Sequence, residues 1–249
     1  KEIALDFGWC IENYYREDLI GEINNTSDIL RTYLILGETV DRKYYNKAER
    51  MLRGHMLPAQ LLDQDLLYDE EGTLCENPVM KGAFGFPCPY GYEYIEGRPI
   101  CFNWDIVGGA VDGLCEAIKH MMTKKEGIID INMLFGCETE DVKIVDPYTK
   151  NGVLEIIKKS EENYTVHINL SDNVCIEKIF GVDANAYHIG KNELWIFGNF
   201  HEVHIKLGMK KRKIDNYFRG KRIRFEWIGD MVTAADTGEK NLCFFKNLA

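Results

Sequence analysis

The sequence predicts an α+β protein whose two kinds of structure are segregated: a helical N-terminal region, then an antiparallel β-sandwich. Three observations carry this. Up to about residue 127, apolar residues recur at helical spacing, and from Ile128 onward they alternate with polar ones, as strands do. Turn-forming triplets such as Lys150-Asn151-Gly152 and Ser171-Asp172-Asn173 separate the later runs at hairpin intervals. Between the two patterns lies a segment, 84–105, rich in rings and carboxylates. The expected division is a helical region over 1–126, containing an aromatic loop at 64–104, and a β region over 127–249.

The elements follow in order. Thr26 or Ser27 is expected to cap a helix over about 28–36, its side-chain oxygen accepting from a free first-turn amide. Ile29, Leu30, Tyr33, Leu34 and Leu36 cover more than one face of it, so it should be largely buried. Asp41 caps a second helix running to about Leu62, with Tyr44, Ala48, Met51, Leu52, His55 and Ala59 as its stripe. Pro58 interrupts this helix, because its ring crowds the carbonyl of Gly54, and a kink is expected there. The connection 37–40 is short, which makes the two helices an antiparallel hairpin.

A third helix is expected over about 105–124, with Val107, Ala110, Val111, Leu114, Ile118, Met121 and Met122 as its stripe. Gly108, Gly109 and Gly113 each cost about 1 kcal/mol in a helix relative to alanine. Either a neighbouring helix packs closely on them, or they let a substrate approach the helix start. Short β-type runs then follow: 128–135, 142–145, 154–158, 164–170, 174–180, 186–189, 194–197, 203–207, 222–227 and 243–245. Their spacing indicates a sandwich rather than βαβ units.

Composition bounds the partners. The 249 residues carry a net charge of -10, so a polyanion is repelled on average and nucleic acid is not expected. The basic run Lys210-Lys211-Arg212-Lys213 reads as a solvated turn or strand edge. No run of eighteen apolar residues is present, so no membrane span is expected. No basic and apolar leader opens the chain, and the start on Lys1 without a methionine fits a fragment or a processed product. The eight cysteines form no Cys-x-x-Cys pair, which favours a reducing compartment, and the expected location is cytoplasmic. Cys115 and Cys175 fall at apolar positions and read as buried thiols.

Two constellations carry chemistry. Asp6, Glu12, Glu17, Asp18, Glu22 and Asp28 supply carboxylates near the N-terminus, and glycoside hydrolysis needs two of them across one bond. The segment Phe84, Phe86, Tyr90, Tyr92, Tyr94, Phe102 and Trp104 interleaves rings with Glu93, Glu96, Arg98, Asn103 and Asp105. Rings stack on the apolar faces of sugars while Arg, Asn and carboxylates bind hydroxyls; self-packing of the loop is the alternative. His201-Glu202-Val203-His204 is not a zinc motif, because strand residues three apart face opposite sides. His55 reads as a core histidine. No phosphate loop, dinucleotide fingerprint or nucleophile elbow is present.

Four stretches resemble the back half of six-hairpin (α/α) toroid glycosidases with a C-terminal sandwich, most of all the β-L-arabinofuranosidase type, glycoside hydrolase family 127. They are Glu22-Ile-Asn-Asn-Thr-Ser-Asp28, Tyr44-Tyr-Asn-Lys-Ala-Glu49 through Leu57, Gly108-Gly-Ala-Val-Asp-Gly-Leu114 with Ile129-Asp-Ile-Asn-Met-Leu-Phe135, and Phe225-Glu-Trp-Ile-Gly-Asp-Met-Val232. The resemblance implies a partial toroid and a carbohydrate substrate. It also implies a zinc site built on Glu-x-Cys and a Cys pair. Here Asn24 stands in place of that Cys, and Cys101-Phe-Asn-Trp-Asp105 has no Cys pair beside the helix, so no metal is expected.

The expected catalytic residues are therefore carboxylates, Asp6 or Glu12 as acid with Glu22 or Asp105 as partner. Tyr90, Tyr92, Arg98, Asn103 and Trp104 are the expected substrate contacts. Three helices cannot close a ring of twelve, so a missing toroid half or a second copy is an expected partner. The alternatives are a polysaccharide lyase using Tyr14, Tyr15 and Arg16, and a non-catalytic carbohydrate-binding module.

Overall fold

The structure, a computed structural model, describes residues 8–10, 22–60, 82, 84, 104–181, 186–218, 221–236 and 241–242. The helices come first: α1 (Ile23–Thr39), α2 (Lys43–Met51), α3 (Leu57–Ala59) and α4 (Trp104–Met121). Strands follow: β1 (Met122–Lys125), β2 (Ile128–Ile131), β3 (Cys137–Glu138), β4 (Val142–Val145), β5 (Val153–Lys158), β6 (Thr165–Asn169) and β7 (Val174–Phe180). The remainder are β8 (Ala186–Ile189), β9 (Glu193–Phe197), β10 (Glu202–Met209), β11 (Lys211–Phe218), β12 (Lys221–Ile228), β13 (Met231–Asp236) and β14 (Asn241–Leu242). The chain is thus α+β with its elements segregated.

α1 starts a turn earlier than the sequence indicates. Thr26 and Ser27 lie inside it, buried, and cap nothing. Their hydroxyls are used across the fold instead: Thr26 Oγ1 accepts from the Cys10 amide at 3.2 Å, and Ser27 Oγ donates to the Gly109 carbonyl at 2.6 Å. Asp41 does hold the start of α2, accepting from the Lys43 amide at 2.9 Å. α1 and α2 are antiparallel: the Gly37 backbone packs on the Tyr45 ring, and Tyr33 stacks near Tyr44 at 6.1 Å.

Between α2 and α3 the chain makes a π-turn over Leu52–Met56, closed by the Leu57 amide on the Leu52 carbonyl. Pro58 sits one residue beyond, so the expected kink at Gly54 takes the form of a wider turn. Gln60 is extended and bridges to Phe84, which is buried against the helices. Phe84 thus belongs to the helical core, and the rest of the aromatic segment up to residue 103 lies outside the described residues.

α4 ends at Met121, and the chain passes directly into β1, so the helix is shorter than expected. The turn Glu126-Gly127 has φ of 52° and 76°, the left-handed pair that suits a two-residue hairpin, and it joins β1 to β2. Among the described residues the strands form three sheets, ordered β1-β2-β6-β9-β8, β3-β4-β5-β10-β7 and β11-β12-β13-β14. The first two share one apolar core, with Ile129, Val166 and Ile196 from one sheet against Ile144, Ile156 and Ile205 from the other. One pair departs from the expected antiparallel pattern: β2 and β6 run parallel. The basic run begins β11, an edge strand, as its charge predicts.

The third sheet does not join that core. Phe225, Trp227 and Val232 pack with Leu30, Met51 and Met56 of the helices. A buried ion-pair cluster ties the layers further: Arg53 bonds Glu49 at 2.8 Å and Asp146 at 3.0 Å, and Tyr148 accepts from the Asp230 amide at 2.9 Å. Two thiols differ from expectation. Cys115 is exposed, because it lies on the side of α4 turned away from α1, and Cys175 is exposed on the edge strand β7.

Candidate functional site

α1 and α4 run side by side in the same direction. The contacts climb both helices together: Asn24 against Gly109, Ser27 against Gly113, Arg31 with Asp112 at 2.9 Å, and Glu38 with His120 at 3.5 Å. A Cβ on Gly109 would come within 2.8 Å of Asn24 Cβ, and one on Gly113 within 3.0 Å of Ser27 Cβ. These two glycines exist for helix packing. A Cβ on Gly108 meets nothing within 4 Å, so the start of α4 is open at that position.

The two helix starts are therefore neighbours, and both point their free amides to the same end. Glu22 stands there, half-buried, with an extended backbone (φ -119°, ψ 151°) and its carbonyl accepting from the Thr26 amide. Trp104 and Asp105 form the first turn of α4 by their backbone. The helix packing thus puts the starts of α1 and α4 at the same end, with Asn24 against Gly109. Asp6, Glu12, Tyr90, Tyr92, Arg98 and Asn103 lie outside the described residues, as do Tyr14, Tyr15 and Arg16.

Sequence reasoning missed Cys10 at this end. It is buried beside Thr26, and burial pushes its thiol up to about 11, so it is a neutral thiol rather than a thiolate. The Asn24 side chain is turned to its own backbone, accepting from the Asn25 amide at 2.9 Å. Among the described residues no three His, Cys, Asp or Glu side chains converge as metal ligands. Among the described residues, the donors at the start of α1 are the Glu22 carboxylate, the Asn24 amide and the Cys10 thiol. Likewise His204 pairs with Glu202 at 2.8 Å on β10 while His201 is exposed before the strand. His55 is buried in the helical core.

A second polar cluster also escaped the sequence reading. On the outer face of the first sheet, His167 sits between two carboxylates, with Nδ1 2.9 Å from Asp130 and Nε2 3.1 Å from Glu193. Trp195 stacks on its ring at 4.0 Å. Arg42 reaches the same Asp130 oxygen at 2.8 Å and Asn132 at 2.8 Å. Burial opposes ionisation of Asp130, but the bonds from His167 and Arg42 hold its carboxyl below the usual range. Both His167 nitrogens lie within hydrogen-bond distance of a carboxylate, so the ring anchors the cluster.

No family model and no curated protein matches the sequence. Solved structures do match in fold, and they are glycoside hydrolases. One is a family GH127 β-L-arabinofuranosidase from Geobacillus stearothermophilus T6, 14% identical, with a TM-score of 0.58 over 93% of this chain and 41% of that one. Another, described as a glycoside hydrolase, is 12% identical, with a TM-score of 0.56 over 92% of this chain and 44% of its own. The chain spans about two-fifths of the length of these structures. At this identity the likeness is one of fold, and in fold the resemblance read from the sequence holds.

Proposed function

We propose that this protein is a carbohydrate-active protein of the glycoside hydrolase type, with its site at the paired starts of α1 and α4. The observation that supports the reading is the parallel packing of these helices, with Asn24 against Gly109 near the two starts. The fold neighbours support a glycan as the substrate class. In this reading Glu22 and Asp105 act as the carboxylate pair, with Asp6 or Glu12 as an alternative acid. Their separation sets the stereochemical outcome. Tyr90, Tyr92, Arg98, Asn103 and Trp104 complete the substrate contacts, and the open side of Gly108 admits the sugar. The reading keeps a helical region over 1–126 and a β region over 127–249. It treats the helices as part of an (α/α) toroid completed by further polypeptide or a second copy.

A panel of aryl glycosides tests this, with Glu22→Gln and Asp105→Asn as controls. Each variant is expected to lower kcat by about 10²–10⁴-fold without loss of fold. Wild-type activity retained by both variants overturns the carboxylate assignment. An inactive wild type that still binds a glycan array reduces the protein to a binding module. Elemental analysis is expected to find no zinc, and one equivalent held by cysteine would restore the thiolate mechanism.

A further inference from the structure

At the end of α1 opposite Glu22, the turn 40–42, the first turn of α2 and the β1–β2 hairpin enclose a cleft of about 780 Å³. That is the size of small-molecule sites. Tyr45 is 3% exposed and lines the cleft, yet no described residue hydrogen-bonds its hydroxyl. Its hydroxyl is not cut off from solvent, so it is free to take a partner from the cleft. Burial first, and then the charge of Glu38, lift its ionisation to about 12, so it stays a neutral donor and acceptor.

Asp130 lines the same wall. It spends one oxygen on both Arg42 and His167, and its other oxygen takes no hydrogen bond from the described residues. Arg42 is locked by Asp130 and Asn132 but keeps a half-exposed edge toward the cleft. These groups are fixed in advance, so little ordering is needed on binding.

The charges lining the cleft cancel: Glu38, Asp41 and Asp130 against Arg42, Lys124 and Lys125. A ligand with net charge would lose its hydration without a net field to replace it. A neutral ligand carrying several hydroxyls matches the alternation of donors and acceptors. We propose that this cleft is a second site, separate from the helix starts, that binds a neutral saccharide through Tyr45, Arg42 and the free oxygen of Asp130. It goes beyond the reading above and stands without it.

The test is titration of the 249-residue protein with arabinose, xylose, galactose, glucose and their disaccharides, followed by calorimetry and by backbone amide shifts. Galacturonate and glucose 6-phosphate serve as charged controls. At least one neutral sugar is expected to saturate the site and to shift the amides of Val40, Thr123 and Lys125. Tyr45→Phe removes one oxygen and is expected to weaken binding about tenfold, the equivalent of about 1.4 kcal/mol. Glu22→Gln is expected to leave it unchanged, so loss of activity at the helix starts and loss of binding here are separable. The proposal fails if no neutral sugar moves those amides, if Tyr45→Phe binds as wild type, or if a charged sugar binds more tightly than every neutral one.

Discussion

Arg53 is held from every side. Its guanidinium lies 3.8 Å from the centre of the Phe135 ring and 4.1 Å from that of Tyr148, and it donates to the Leu134 carbonyl at 2.9 Å while pairing with Glu49 and Asp146. Glu49 is equally enclosed, and burial lifts its carboxyl despite Arg53 beside it. The value of such a cluster shows when one partner goes. Arg53→Met strands Glu49 as a buried charge and should cost about 3–5 kcal/mol in urea unfolding. Adding Glu49→Met should return part of that loss, because Asp146 is then the one carboxylate left without Arg53; a double variant no more stable than the single would refute the pairing. Asp130 carries a pH dependence. Its folded-state pKa lies below the unfolded value, so its contribution is full at neutral pH. It fades as pH falls through about 4 and is lost once the folded carboxyl protonates. Asp130→Asn should therefore cost about 1–3 kcal/mol at neutral pH, and the difference from wild type should narrow as pH falls below the unfolded value of about 4. A difference constant over that range would mean that the carboxylate is not the source.

At the scale of elements, α4 separates two roles for glycine. Alanine favours a helix over glycine by about 1 kcal/mol. At Gly108 nothing opposes that gain, so Gly108→Ala should stabilise the protein by up to that amount. At Gly113 a methyl group meets Ser27 and forces the helices apart, and overpacking costs about 1–3 kcal/mol. Gly113→Ala should therefore destabilise, and equal shifts in unfolding midpoint for the two variants would contradict the packing. If sugar passes over Gly108, the stabilised variant should also lose activity. Much of this was legible beforehand. Helical spacing gave α1, α2 and α4, Pro58 gave the break near Gly54, and the glycines gave a close helix contact. What escaped was whatever depends on residues distant in sequence. Thr26 resembles a cap until Cys10 claims its hydroxyl. Asp130, His167 and Glu193 each look like one polar residue in a β run, and only strand pairing sets Asp130 opposite His167 and Glu193 on its diagonal. The short strands β1 and β3 carry no pattern of their own, and β1 was absorbed into the helix because Met121 and Met122 continue its stripe.

At the scale of the whole molecule, the third sheet decides whether the helices and strands behave as one body. Sequence spacing alone assigns β12 to the sandwich and does not mark β13, since an amphipathic strand gives no clue to which layer it covers. In the structure their apolar side chains sit among the helices. Trp227 is 1% exposed, with the Arg50 guanidinium 5.0 Å from its ring and that of Arg212 at 5.5 Å. Arg212 comes from β11 and donates to the Gly229 carbonyl at 2.9 Å, while Arg50 belongs to α2. One indole thus joins the last sheet to the helical hairpin. Trp227→Ala should remove about 3–5 kcal/mol, the usual cost of deleting a buried aromatic side chain. The consequence is specific to this layering: the far-UV helical signal should lose stability by the same amount as the sheet signal, in one transition. Hydrogen exchange should show the amides of α1 and β12 opening together, as members of a single cooperative unit do. If the helical signal melts at its wild-type midpoint while β12 exchanges freely, the third sheet is an appendage, and the helix starts are positioned without it.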